Sequence, residues 1–515
     1  MNGAESLVRT LIAEGVKVCF TNPGTSEMHI VAALDSAPEI RCVLGLFEGV
    51  VTGAADGYAR MAGRPACTLL HLGPGLANGL ANLHNASRAR SPIVNIVGQH
   101  ALSHLPYDAP LTSDIEGIAR PYSRWLRTSR NTAEVGRDAA EGLIAARSLQ
   151  GQIATLIVPA DAAWGDGGRV AEIPALQHPK RATSAAIDRA ASMLRSGSPT
   201  ALMLSGNALY GRGLEIAGRI AASTGAKLLA PYPFARMERG TGVPVVERTH
   251  YVLEQAVEQL KEYRQMILVG AQPPVAYFAY PGKSAVMSAP ECDIHTLAMP
   301  EEDLIGALAG LEESLKIGPG ISQRNSKAEH PSVPAGPITL SGLAAHVGAL
   351  LPTNAIVVDE SMTSGRGMMA ATKNAGRHDW LANTGGSIGI AMPLAVGAAI
   401  ASPERKVLCL TADGSGMYTL QALWTAAREN LKITTVVFAN RAYGVLKREF
   451  AGLGVGEPGP IAASMFDIGH PNLDWVQLSK GMGVPAQRVT SLEDFANALQ
   501  SGFGGDGPSL IEVPL

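Results

Sequence analysis

Short apolar runs recur along this chain at strand-helix-strand spacing, and each runs into a glycine, asparagine or proline turn. VKVCF, IRCVLGL, ACTLLH, SPIVNIVG and IATLIVP fill the first third, with helical stretches between them. Runs without polar alternation belong to strands covered on both faces, the condition of a parallel sheet sandwiched by helices. The repetition predicts a doubly wound α/β unit whose ligands bind at the carboxyl ends of its strands. A second series (TALMLSG, AKLLAP, QMILVGA, SAVMSA) and a third (AIVVDE, KVLCLTA, ITTVVFAN, SLIEVPL) predict two more units. We expect an α/β chain of three doubly wound parallel-sheet domains at 1–165, 180–325 and 338–515. The polar, non-periodic stretch KIGPGISQRNSKAEHPSVPAGP reads as the linker before the third. A length of 515 residues agrees with three domains, at roughly 100 to 200 residues each.

Several function classes drop out. A net charge of -3 offers no basic field for a polyanion, so no nucleic-acid partner is expected. The five cysteines are scattered, with no CxxC pair for zinc or redox work, which suits a reducing compartment. The start, MNGAESLVRT, has an early acid and no long apolar core, so it does not read as an export signal. The most lipid-like run, Ile388 to Ala401, contains Gly and Pro and falls short of the roughly 18 apolar residues of a span, so it predicts a buried helix. A cytoplasmic protein acting on small molecules, without a membrane partner, is the expectation.

The stretch LCLTADGSGMYTLQALWTAARENLKITTVVFANRAYGVLK carries the most chemistry. A strand ending at Thr411 runs into Asp413, and Gly414, Ser415 and Gly416 open a helix, so free N–H groups and the helix dipole converge on a spot suited to a diphosphate. The next strand ends in Asn440, which brings a second oxygen ligand to a neighbouring strand end. Magnesium favours oxygen donors, usually one or two carboxylates plus phosphate oxygens. Asp-Gly-Ser alone is equally a structural turn, and the pairing with Asn440 gives it meaning. The stretch resembles the motif of thiamine diphosphate enzymes, which begins with GDG and ends in Asn, with Ala412 here in place of the first glycine. The resemblance implies thiamine diphosphate and Mg2+ as cofactors. It makes Asp413, Asn440 and the Ala442 carbonyl the metal ligands, and it puts Gly414, Ser415, Tyr443 and Gly444 beside the diphosphate. In NTGGSIGIAMPLAVGAA it makes the Gly386 carbonyl an acceptor for the aminopyrimidine and Ile388 the apolar pivot beneath it, with ordinary core packing as the alternative for Ile388. Thr363, in DESMTSG at the start of the third domain, joins the cofactor-binding set.

In VLGLFEGVVTGAADGYARMAGRPA, Glu48 follows a strand and precedes a glycine-rich helix, in an apolar setting that favours its protonated form. The family resemblance makes it the cofactor-activating acid; the other reading is a helix-start acid favoured by the dipole. Glu48 and Asp413 fall in different domains, and the resemblance implies that two subunits complete each site. A homodimer is then the smallest active unit, and a homotetramer is expected. The middle domain resembles one that binds flavin in some relatives, but no GxGxxG follows its strands, and FAD is not expected.

Two subfamilies compete for the substrate pocket. ACTLLHLGPGLANGLANLHNASRARSPIVNIVGQHA resembles acetolactate synthase large subunits, which implies decarboxylation of a 2-oxo acid and ligation to a second carbonyl. His71, however, stands where benzoylformate decarboxylases carry a histidine, and a neutral imidazole can relay a proton and release an aldehyde instead. Thr25 matches the hydroxyl that holds a substrate carboxylate. Pro110 and Leu111 stand where pyruvate decarboxylases have a histidine pair, Phe278 marks the place of the second benzoylformate decarboxylase histidine, and Phe450 is placed to wall the pocket. The plain alternatives are a satisfied strand-end histidine for His71 and packing roles for Thr25 and Phe450. His84, His100 and His104 are expected to be solvated or structural. The rival from another class is a non-catalytic cofactor-binding scaffold, since fold alone does not establish chemistry.

Overall fold

The protein is described by a computed structural model covering residues 1–172, 178–318 and 333–515. Most of the expected linker, and part of the ALQHPKR loop, lie outside the described residues.

The first domain holds β1 (Val18–Asn22), β2 (Arg41–Leu44), β3 (Ala66–Leu70), β4 (Ile93–Gln99), β5 (Trp125–Thr128) and β6 (Ile153–Pro159). They form one parallel sheet in the order β2-β1-β3-β4-β6-β5. Every residue of β3, β4 and β6 is buried, as contiguous apolar runs require. The middle segment supplies β7 (Thr200–Leu204), β8 (Lys227–Ala230), β9 (Arg236–Arg239), β10 (Glu247–Arg248), β11 (Gln265–Val269) and β12 (Asp293–Ala298). The third supplies β13 (Ile356–Asp359), β14 (His378–Ala382), β15 (Val407–Ala412), β16 (Ile433–Ala439), β17 (Ala486–Arg488) and β18 (Ser509–Pro514). The middle sheet runs β10-β8-β7-β11-β12 and the third runs β17-β18-β16-β15-β13-β14-β9.

Two features differ from the sequence expectation. SAVMSA is not a strand; Val286 makes only an isolated bridge to Val275, and the edge position goes to DIHTLA, whose polar residues break the apolar run. In addition, β9 leaves its own segment and pairs antiparallel with β14, so the third sheet is not wholly parallel. Its sequence, RMER, buries only Met237 and carries no strand signal of its own.

In each outer sheet the strand order reverses near its centre, between β1 and β3 in the first and between β13 and β15 in the third. Loops leaving a reversal point diverge to opposite faces and open a crevice at the carboxyl ends of the strands. The two outer domains meet through the Glu48–Ala62 helix and the Ala391–Ala401 helix, where the Leu394 carbonyl lies against Gly57 and the Ala54 carbonyl against Gly397. The run read as a buried helix is that second helix, buried along all but its last residue. Arg60 stitches the contact: it pairs with fully buried Asp56 and donates to the Ala382 carbonyl at 2.7 Å, the Thr384 hydroxyl at 3.2 Å and the Ala235 carbonyl at 3.2 Å. One guanidinium therefore reaches all three segments. Among the described residues no helix is long and apolar enough to cross a membrane.

Candidate active site

The crevice of the first sheet holds an acid, an imidazole and a hydroxyl in contact. Thr25–Glu27 form a short helical turn after β1, and His71 follows β3, its immediate neighbour. His71 Nδ1 lies 2.8 Å from Glu27 Oε2 and 3.2 Å from the Ser26 hydroxyl, and Ser26 donates to Glu27 Oε1 at 2.6 Å. The Gly24 N–H also donates to Glu27, at 2.8 Å. Glu27 is fully buried, which these donors make tolerable. A carboxylate only accepts, so Nδ1 carries the proton of the neutral ring and Nε2 is left as the working nitrogen. Nε2 has no hydrogen-bond partner among the described residues.

Glycine makes both placements feasible. A methyl group on Gly24 would fall 2.2 Å from the His71 ring, and one on Gly98, near the carboxyl end of β4, would fall 1.7 Å from Glu27 Oε1. A glycine inside a strand marks such a close approach. Leu72, which turns the chain from β3 into the Leu72–Ala89 helix, holds φ 51°, a left-handed conformation that leucine adopts rarely and that concentrates at functional sites.

Glu48 starts its helix beside this group. Its carboxylate accepts from Asn78 at 3.0 Å, and Oε1 and the His71 Cβ both lie 3.3 Å from the space a Gly75 side chain would take. Glu48 is half-buried, so one chain alone does not supply the enclosed apolar setting expected for it. Asn78, Asn82 and Asn85 fall on one face of the Leu72–Ala89 helix by their spacing. Asn82 holds the Gly49 carbonyl at 2.8 Å, and Asn85 reaches the third domain.

The crevice of the third sheet gathers the residues assigned to diphosphate and metal. Asp413 follows β15; its carboxylate accepts from the Gly414 N–H at 2.9 Å and the Arg441 N–H at 2.7 Å, which lower its pKa, while burial pushes it up more strongly. Asn440 follows β16 and its side-chain oxygen takes the Ala442 N–H at 3.1 Å. The Tyr443 ring covers Gly414, and Thr363 Oγ1 and Asn440 Nδ2 lie 3.1 and 3.5 Å from the space beside Gly444. Ser415 is buried in the same turn. One carboxylate, one amide oxygen and one main-chain carbonyl, each oxygen with a lone pair to spare, match the donor set magnesium takes alongside phosphate. Gly386 and Ile388 sit on the loop after β14, Gly386 exposed and Ile388 half-buried outside the core clusters, which favours the pivot reading over core packing. Thr419 donates to the Gly389 carbonyl at 2.6 Å and ties this loop to the Asp413 turn.

A cavity of about 400 Å³ is lined by Ser26 and Leu72, the sequence neighbours of Glu27 and His71, together with Thr25, His100, His104, Leu111 and Trp164. Of the residues expected in the substrate pocket, Thr25 and Leu111 line this cavity. Pro110 and Phe450 do not line it; Pro110 is exposed and Phe450 packs edge-on against Phe466. Phe278 is exposed with its ring against Tyr277 in the middle segment, and within one chain it does not reach this cavity either. His84 is not merely solvated, since its Nε2 lies 3.0 Å from the Gly385 carbonyl.

Sequence reasoning missed Glu27, Ser26, Asn78 and Glu360. Glu27 and Ser26 adjoin the NPGT turn, and the signal was Gly98, a lone glycine in an apolar strand. Asn78 shares one helix face with Asn82 and Asn85. Glu360, an acid directly after a buried strand, was quoted within DESMTSG but given no role.

Known proteins match this arrangement along its length. The family described as "Thiamine pyrophosphate enzyme, N-terminal TPP binding domain" matches residues 1–117, and its counterpart, "C-terminal TPP binding domain", matches residues 364–513. A Mycobacterium tuberculosis protein provisionally named acetolactate synthase large subunit IlvX is 50% identical, over 100% of this chain and 99% of the other. The benzoylformate decarboxylase of Pseudomonas aeruginosa is 28% identical, over 97% and 96% of the two chains. A solved structure titled thiamine diphosphate-dependent 4-hydroxybenzoylformate decarboxylase, from Rhodococcus jostii RHA1, superposes with a TM-score of 0.86 at 24% identity over 100% of this chain and 99% of that one, which shows a shared fold. By its two matched domains and this full-length similarity, the chain belongs to the thiamine pyrophosphate enzyme family.

Proposed function

We propose that the protein is a thiamine diphosphate- and magnesium-dependent enzyme that decarboxylates a 2-oxo acid and then protonates the remaining carbon to release an aldehyde. The observation that carries this reading is His71, held by a buried carboxylate through Nδ1 with Nε2 unspent, while the adjoining residues Ser26 and Leu72 line a cavity. That is the arrangement of a proton relay. The bound cofactor supplies the electron sink that lets a 2-oxo acid lose carbon dioxide. Asp413, Asn440 and the Ala442 carbonyl would hold magnesium, with Gly414, Ser415, Thr363, Tyr443 and Gly444 around the diphosphate and Ile388 under the rings. Glu48 holds and returns the proton that activates the cofactor, oriented by Asn78. Thr25 and Ser26 offer hydroxyls to the substrate carboxylate, and Leu72, Leu111 and Trp164 exclude water from its side chain.

Completing the site takes a second copy of the chain. Among the described residues the Glu48 carboxylate hydrogen-bonds only Asn78, on its own domain, and no bond joins it to the Asp413 turn. A homodimer that sets Glu48 of each subunit against the metal end of the other, doubled into a tetramer, would supply the missing wall.

A second reading, ligation to another 2-oxo acid, is supported by the 50% identity to a protein named as an acetolactate synthase subunit. Incubating the holoenzyme with pyruvate, benzoylformate and 4-hydroxybenzoylformate and identifying products by mass separates them. Aldehydes support the decarboxylase, and acetolactate from pyruvate moves the assignment to the ligase. Cofactor uptake without carbon dioxide from any of the three would remove both.

A further inference from the structure

A buried carboxylate lies beneath the loop that carries Gly386 and Ile388. Glu360, directly after β13, is 2% exposed. Its Oε1 accepts from the Gly389 N–H at 3.0 Å and from Asn383 Nδ2 at 3.1 Å, and its Oε2 accepts from the Ala391 N–H at 3.1 Å. Asn383 passes the restraint upward. Its Oδ1 takes the N–H groups of Gly385 at 3.2 Å and Gly386 at 2.8 Å, and its Nδ2 also donates to the Ser387 carbonyl at 2.9 Å.

The Leu72–Ala89 helix grips the same loop from the first domain. Asn85, fully buried, donates to the Ser387 carbonyl at 2.8 Å and accepts the Ser387 N–H at 3.2 Å, while His84 takes the Gly385 carbonyl. The peptide groups of Gly385 and Ser387 are therefore held at both N–H and carbonyl, and the N–H of Gly386 is held too. Of the three carbonyls of residues 385–387, only that of Gly386 has no hydrogen-bond donor among the described residues. Across residues 385–387, the Gly386 carbonyl is the one main-chain group left free to accept.

Retaining a carboxyl in this place is costly. Burial pushes Glu360 up to about 7, against main-chain donors that favour its charged form. A residue that merely filled the space below the loop would be apolar.

We propose that Glu360, acting through Asn383, is the positioning residue that fixes the Gly386 carbonyl for the exocyclic amino group of a bound aminopyrimidine cofactor. This rests on the thiamine diphosphate reading of the site. A glutamine at this position presents an N–H₂ toward Gly389 or Ala391, leaving main-chain donors facing a donor, so the loop should relax.

The test compares two ligands on the full-length protein with magnesium present: thiamine diphosphate, and oxythiamine diphosphate, in which an oxygen replaces the amino group. Calorimetry of the wild type, Glu360→Gln and Asn383→Ala gives the ratio of the two dissociation constants. The wild type should prefer the amino ligand by about tenfold or more, one good hydrogen bond, and both variants should lose most of that preference while inorganic pyrophosphate binds them as it binds the wild type. An unchanged ratio in variants that fold would overturn the positioning role, since a purely structural defect weakens both ligands alike. Should Glu360→Gln fail to fold, Asn383→Ala, on the half-buried loop, carries the comparison. If the wild type takes up thiamine diphosphate but does not discriminate, only this inference falls; if it takes up neither ligand, the functional reading falls with it.

Discussion

His71 turns its Nδ1 to within 2.8 Å of Glu27 Oε2, and while Glu27 is fully buried, the His71 side chain keeps 21% of its surface exposed. The anionic partner is locked in the sheet and the imidazole faces the crevice, so the pair has a fixed end and a working end.

Glu27→Gln keeps the volume below Gly98 but can no longer enforce the Nδ1 proton. It should lower kcat/KM by about 10²-fold, within the range of a positioned acid-base group, and leave cofactor affinity unchanged. Equal losses in turnover and cofactor affinity would mean that Glu27 is a scaffold element.

Replacing Glu48 by Gln should cut turnover by at least about 10²-fold while thiamine diphosphate still binds. A non-catalytic binding protein would show no activity to lose, and an active variant would place the activating acid elsewhere.

Asp413→Ala removes the carboxylate of the proposed metal site. Magnesium-dependent uptake of thiamine diphosphate, followed by calorimetry, should vanish, and a chelator should have the same effect on the wild type. Uptake that survives both treatments would be incompatible with a metal bridge at Asp413 and Asn440.

Burial raises Glu360 from the ordinary 4.5 to about 7. The folded state then holds this proton more tightly than the unfolded chain, so the contribution of Glu360 to stability is fully present below about pH 4.5 and is lost as the pH rises through about 7. The full shift corresponds to roughly 3 kcal/mol, at about 1.4 kcal/mol per unit. Denaturant unfolding at about pH 5 and about pH 8 should show the wild type losing stability relative to Glu360→Gln across that interval; parallel curves would contradict the assignment.

Leu111→Trp should shrink the cavity lined by Thr25, Ser26 and Leu72, whose volume is about 400 Å³. Activity on benzoylformate should fall several-fold more than activity on pyruvate, because an added indole collides with a ring before it reaches a methyl group. An equal loss on both substrates would place the side-chain pocket elsewhere.

The sequence was most legible where burial is uniform. β3, β4, β6, β7 and β16 are covered on both faces, so their residues are mostly apolar with no polar alternation and their limits could be read to within a residue or two. The positions of Asp413 and Asn440 were legible for a related reason: both stand at strand ends, and strand ends were readable. DIHTLA and RMER were not, because each lies at a sheet edge where one side is polar, and RMER pairs with a strand from another domain.

The sequence by itself therefore determined the three α/β layers, the family and the strand ends where ligands gather, since those depend on local periodicity and short-range turn chemistry. Tertiary structure alone decided that Glu27 meets His71 across 44 positions, that Asn85 reaches Ser387 across 302, and that Glu360 lies beneath the Gly386 loop. Those contacts are set by which strands become neighbours where a sheet reverses and by how closely glycines let backbones approach, and a hydrogen bond between residues so far apart leaves no period in the chain to read.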